Sequence, residues 1–292
     1  MATFYRALGS SRISARLIAA TIALMTLAWL ASKGQAADAV DASDKTRLEA
    51  AKAIPFARMN EETQRKILSV VENPSLFRRL PTKTVDCDPD LFLFLVRNPE
   101  VVINVWQLMG VSNMTAKRIG TYAWDGNDGS GTRCNVELVY GTDNLHILYG
   151  DGFYEGPLLK KKMYGRCVLV LRSEAQKGAD NRTYVGSQLD VFLSVDNAGV
   201  DLLARTLGPM VGNTAEANFE ESAKFLSRLS QTAETNATGM HRLAEKLTNC
   251  EQPVREQFSQ VASLVNQRAA IRSTTTEVPR AAAMSNLPSN RQ

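Results

Sequence analysis

Between residues 115 and 195 the chain carries five strand-forming runs in succession, at 115–124, 133–140, 145–149, 163–172 and 183–195, with no helical pattern between them. Two of the connections, Asp125-Gly126-Asn127-Asp128-Gly129-Ser130-Gly131 and Gly141-Thr142-Asp143-Asn144, hold the residues that tight turns require. Runs joined this way predict successive antiparallel strands. In the last run Leu189, Val191, Leu193 and Val195 alternate with Gln188, Asp190, Phe192 and Ser194, which gives that strand one wholly apolar face.

Helical signals flank this region on both sides. Residues 37–53 read as a linker or a loosely docked helix. Asn60-Glu61-Glu62 is an N-cap with acidic residues in the first turn, opening a helix whose apolar face is Ile67, Val70 and Val71. Residues 76–81 read as irregular and 82–86 as a short strand. Asp88-Pro89 and Asn98-Pro99 then start two short helices, through Val96 and over 100–109, the second closed by Gly110. After the strands, Asp196-Asn197 opens a helical stretch that is interrupted at Gly208-Pro209 and resumes over 215–235. Its apolar positions Phe219, Ala223, Leu226 and Leu229 step by three and four, and the seven residues from Phe219 to Leu226 turn both toward the sheet. Two more amphipathic segments, 241–247 and 253–271, precede a Ser-, Thr-, Pro- and Ala-rich tail over 272–292 that reads as disordered.

The first 36 residues have a different character. Arg6, Arg12 and Arg16 precede an apolar stretch over 17–31, and Gly34-Gln35-Ala36 places small residues at a cleavage position, the pattern of a signal peptide. The expected localisation is therefore exported, periplasmic or extracellular; the alternative is a membrane anchor formed by the uncleaved segment. Residues 1–36 hold four of the 34 basic residues and none of the 30 acidic ones, so the remainder carries 30 of each and is formally neutral. Neutrality removes the bulk electrostatic case for nucleic acid as a partner.

Four cysteines, Cys87, Cys134, Cys167 and Cys250, are widely spaced, with no CxxC pair for a zinc ribbon or a redox site. If all four are bridged, three pairings are open; Cys167, inside an apolar run, reads as a buried free thiol. The turn 125–131 resembles a calcium loop, but Gly129 and Val136 stand where ligands are needed, so it reads as a solvated hairpin turn. His146 and His241 are the only histidines, which excludes a multi-histidine metal centre. No nucleophile elbow, phosphate loop or dinucleotide fingerprint is present, and no cofactor is expected. His146 lies in a strand close to Tyr149, Asp151 and Tyr154, a placement that invites an acid–base role beside a hydrogen-bonded structural one.

Strand, two short helices, a run of antiparallel strands and a long closing helix is the order of the helix-grip fold. With Asn98-Pro99-Glu100 leading to Trp106 and Gly110, and the ending Asn218-Phe219-Glu220-Glu221-Ser222-Ala223-Lys224-Phe225-Leu226, residues 76–235 resemble the START-like or Bet v 1-like superfamily. The resemblance implies an α+β fold in which a curved antiparallel sheet grips a long C-terminal helix, here with helical extensions at 37–75 and 236–271. It also implies a cavity that in many relatives takes a lipid or another apolar small molecule; some relatives are enzymes, and with no catalytic constellation in this chain the expected function is binding without catalysis. Trp106, Tyr122, His146, Tyr149, Tyr154 and Phe219 are the expected ligand-binding residues. Two other readings stand beside it: a cell-envelope interaction protein whose flanking helices dock a protein partner, and a cyclase- or hydrolase-like enzyme using His146. Export predicts a mature N-terminus near Ala37; N-terminal sequencing that finds Met1 or Ala2 intact supports the anchored alternative.

Overall fold

The computed structural model describes residues 38–156, 162–196 and 208–285. The expected signal peptide, the opening of the closing helix before Gly208 and the last seven residues lie outside them. The strands are β1 (Leu76–Arg79), β2 (Lys83–Val85), β3 (Thr115–Gly120), β4 (Ala123–Asn127), β5 (Thr132–Gly141), β6 (Leu145–Tyr154), β7 (Met163–Lys177) and β8 (Thr183–Val195). The helices are α1 (Asp38–Lys52), α2 (Glu61–Val71), α3 (Pro89–Arg97), α4 (Pro99–Leu108), α5 (Gly208–Thr235), α6 (Ala237–Lys246) and α7 (Gln252–Ser285). The fold is α+β. All eight strands form one open antiparallel sheet in the order β1-β8-β7-β6-β5-β4-β3, with β2 also paired to β8.

Three elements differ from the sequence reading. The run over 115–124 is not one strand: it breaks at Thr121-Tyr122, and Gly120 pairs with Ala123 as β3 turns into β4. Residues 76–79 are a strand rather than an irregular stretch. Arg79 pairs with Asp190 and Lys83 with Ser187, so four steps along β1–β2 match three along β8. The extra residue falls around Pro81, which has no N–H to give a ladder, and splits one edge strand into β1 and β2. Helix α7 continues past Arg272 to Ser285, where the composition suggested a disordered tail.

Where the sequence predicted caps, the chemistry is in place. Asn60 accepts the amide of Thr63 at the start of α2, and Asp88 accepts those of Asp90 and Leu91 at the start of α3. Asn98 works differently. Its Nδ2 donates to the carbonyl of Phe94 at 2.8 Å, closing α3, and its Oδ1 accepts from Arg118 at 2.8 Å. Arg118 also donates to the buried Glu100 through Nε at 2.8 Å and lies over the Trp124 ring at 5.0 Å. Asn98-Pro99-Glu100 therefore fastens the α3–α4 junction to β3. In the 125–131 turn, Asp128 accepts the amides of Ser130 and Thr132, and it is buried rather than solvated. Gly131 has φ +117°, and a Cβ there would meet Glu155 O at 2.8 Å, so only glycine fits.

The sheet is covered on both faces. On one face Phe77, Ile147, Tyr149, Val168, Val170 and Phe192 pack with Ile67, Val70 and Val71 of α2 and with Ala50 and Ile54 from the N-terminal extension. Of the two readings of this extension, a linker or a loosely docked helix, the structure has a helix docked through Ala50, with Ile54 following it into the core. The opposite face meets α3, α4 and α5, and behind them Phe258 of α7 stacks on Phe94 with centroids 5.9 Å apart. All four cysteines are buried free thiols.

On β8 the fully buried Asp190 accepts from Arg79 Nε at 2.7 Å and pairs with Arg172. Replacing Asp190 by Asn leaves the partly exposed Arg172 without a counter-charge and Arg79 with only Glu49, at 3.8 Å. The expected cost is about 2–3 kcal/mol, read in urea denaturation as a lower midpoint at unchanged slope.

Candidate functional site

A cavity of about 150 Å3 lies between the sheet and helices α3, α4 and α5. Strand periodicity builds its floor: Val136 on β5, Leu148 on β6, Leu169 and Leu171 on β7, and Ser187 and Leu189 on β8 all point to one side, with Val85 of β2 at the edge. Helical periodicity builds its roof. Phe219, Ser222, Ala223 and Leu226 of α5 recur at steps of three, one and three, and Phe92, Leu95, Val96, Pro99, Val102 and Ile103 come from α3 and α4. Fifteen of these seventeen residues are apolar and the other two are serines, so the space can hold an uncharged molecule and offers no counter-charge to an ion.

Helix α5 is held over this space by polar contacts along the β2 edge. Lys83 pairs with Glu220 at 3.1 Å, Ser227 Oγ accepts the amide of Asp86 at 3.1 Å, and Ser230 Oγ accepts that of Asp88 at 2.9 Å. Further along, Arg182 bridges Asp86 and Glu234, and Arg272 reaches Glu234 at 3.1 Å. These bonds fix the helix at its flank, and its apolar stripe does not fill the whole floor beneath it.

Of the six residues expected from the sequence to bind a ligand, Phe219 lines this cavity and the other five do not. Trp106 is buried against Phe225, centroids 5.6 Å apart, in the helical layer. Tyr122 sits 48 % exposed in the β3–β4 turn, beside a separate surface groove that holds Arg97, Arg118 and Gln257. Tyr149 lies on the opposite face of the sheet, in the cluster under α2, because it is an odd number of positions from Leu148 and His146. Tyr154 is buried at the far end of β6, with its hydroxyl over Gly156. Apart from Leu189, whose alternation was read in the last strand, the leucines and valines of the floor and of α3–α4 were not singled out in the sequence, although their alternation and helical spacing were readable.

His146 is fully buried and is not among the residues that line this cavity. Arg97 Nε donates to its Nε2 at 3.3 Å, which assigns the proton to Nδ1, and that nitrogen is buried without a partner. Burial first, and then the Arg97 charge, push its pKa down to about 4. The ring is therefore neutral at ordinary pH. Burial likewise pushes the thiols of Cys134 and Cys167 up to about 12, so neither is an activated nucleophile. Among the described residues no group of three His, Cys, Asp or Glu side chains is placed to hold a metal ion, and no helix is long and apolar enough to cross a membrane. Among the residues whose side chains are described, the apolar faces of the flanking helices pack within the molecule, α2 on the sheet and α6 and α7 on the helical layer, with Leu264 and Ile271 exposed.

No family model and no curated protein matches the sequence. Among solved structures the chain is similar to a hypothetical protein from Helicobacter pylori at 13 % identity and TM-score 0.35, covering 53 % of this chain and 88 % of that one. It is also similar to apo dicamba monooxygenase at 13 % identity and TM-score 0.31, covering 66 % of this chain and 60 % of that one.

The buried neutral His146 predicts a definite pH dependence. An unfolded chain takes up a proton near pH 6.5, whereas the folded chain resists it until about pH 4. The unfolded state binds more protons in that window. Stability is full above it and falls by about 3 kcal/mol as pH drops from 6.5 to 4. Chemical denaturation at a series of pH values should display this loss, and His146→Gln should flatten it.

Proposed function

We propose that this chain is an exported helix-grip domain that holds a small apolar molecule in the cavity between its sheet and helix α5. The observation that carries the reading is the cavity itself, about 150 Å3 of space walled by fifteen apolar residues and two serines. Protein interiors are close-packed, and an apolar void costs stability in proportion to its volume. An apolar space of this size has room for a ring-sized apolar molecule. Element order supports the same reading: β1 and β2, then α3 and α4, then six antiparallel strands, then α5 lying over the sheet. The volume selects a compact ligand over a whole two-chain lipid. Binding without catalysis is favoured because the titratable groups nearest in sequence to the site, His146 included, do not line it.

The test is thermal stabilisation by a probe. A ligand that binds only the folded state raises stability by about 1.4 kcal/mol at ten times its Kd. Toluene near saturation should therefore raise the melting temperature by about 2–5 °C. Ala223 lines the roof. In the Ala223→Phe variant the introduced ring occupies the space, and the toluene shift should vanish while the protein still melts cooperatively. No shift in the unmodified protein contradicts the proposal.

A further inference from the structure

The two hydroxyls in the cavity wall stand out against the other fifteen residues. Ser187 lies on the cavity side of β8 and is 2 % exposed, and Ser222 lies on the cavity side of α5. Neither hydroxyl has a hydrogen-bond partner among the described residues. Their neighbours do not share this state. On the same helix Thr232 and Thr235 donate to the carbonyls four residues back, at 2.7 and 3.1 Å, and Ser227 and Ser230 accept backbone amides. Ser173, directly across the ladder from Ser187, donates to the carbonyl of Asp143. Serine in a helix has a local acceptor within reach, and Ser222 does not use it.

Ser187 is buried and Ser222 half-buried, and a hydroxyl that loses water without gaining a partner costs about 1–3 kcal/mol, so two unpaired hydroxyls lining one apolar cavity are best explained by a partner that occupies it. That partner is uncharged, because a carboxylate or ammonium there would lose its hydration against a wall without a counter-charge. It carries few polar atoms, because each one beyond the reach of these hydroxyls would itself be left unpaired. It is ring-sized, by the volume of the cavity.

We infer that the occupant is a neutral molecule of about one ring carrying a hydroxyl or carbonyl group, which Ser187 on the sheet wall and Ser222 on the helix wall hold by hydrogen bonding. The inference rests on the small-molecule reading above and specifies its ligand. The apolar part fills the space between Leu148, Leu169, Phe219 and Leu226, and the polar group sets its orientation.

Isothermal titration of the full chain with two near-isosteric probes, benzyl alcohol and ethylbenzene, separates this claim from the one beneath it. The alcohol should lose about three- to tenfold in affinity in Ser187→Ala and in Ser222→Ala, while ethylbenzene keeps its affinity within about twofold or binds more tightly. Alcohol affinity unchanged in both variants, with ethylbenzene still bound, overturns the hydroxyl assignment and leaves the apolar cavity reading standing. Equal weakening of both probes also overturns it, since that marks a change in packing. If neither probe binds the unmodified protein, both readings fall.

Discussion

The thirteen-residue ladder between β7 and β8, from Gly165 opposite Val195 to Lys177 opposite Thr183, is the constraint on which the other elements depend. Strand β8 receives β1 and β2 along its other edge, and β7 passes the sheet on to β6 and the rest of the meander. Because side chains alternate along a strand, this one register decides which residues go to which helical layer. Val168, Val170 and Phe192 meet the N-terminal helices, and Leu169, Leu171 and Leu189 meet α5 across the cavity. A slip of one residue would exchange the two sets and drive the Asp190 carboxylate into the apolar floor.

Buried carboxylates mark the joints of the structure. Asp190 is held by Arg79 and Arg172, Glu100 by Arg118, and Asp88 by Arg268 at 2.8 Å, each arginine arriving from a different element. Such pairs add little net stability compared with apolar packing, but breaking one is costly, so they fix which segments meet. The same logic explains the position of α5. Its polar contacts to β2 and Arg182 set its height above the sheet, and apolar contact alone would draw it down until the void closed. A cavity can persist here because the roof is tied at its edge.

His146 and the cavity serines are unsatisfied in different senses. The Nδ1 of His146 is enclosed by protein, next to a hairpin and an arginine, and its cost is borne as lost stability that appears on acidification. Ser187 and Ser222 face open space, where a ligand can supply the missing bond.

Much of the architecture was legible in the chain. Caps at Asn60 and Asp88, the glycine after α4, the antiparallel meander and the apolar stripe of α5 follow from local rules, namely capping chemistry, turn residues and the periods 2 and 3.6, which act within a few residues of each other. Tertiary structure decided the rest. The break at Thr121-Tyr122 and the pairing of residues 76–79 with β8 depend on partners a hundred or so residues away, or on a turn too short to declare itself. The placement of the candidate ligand residues was hidden for the same reason. Aromatic and polar residues such as Tyr149, Tyr154 and Trp106 looked like ligand contacts by type, but sheet parity and helix orientation turn them into packed layers, leaving plain leucines and two serines around the cavity. Sequence pattern says which residues share a face; only the packing of two layers against one sheet says which face encloses space.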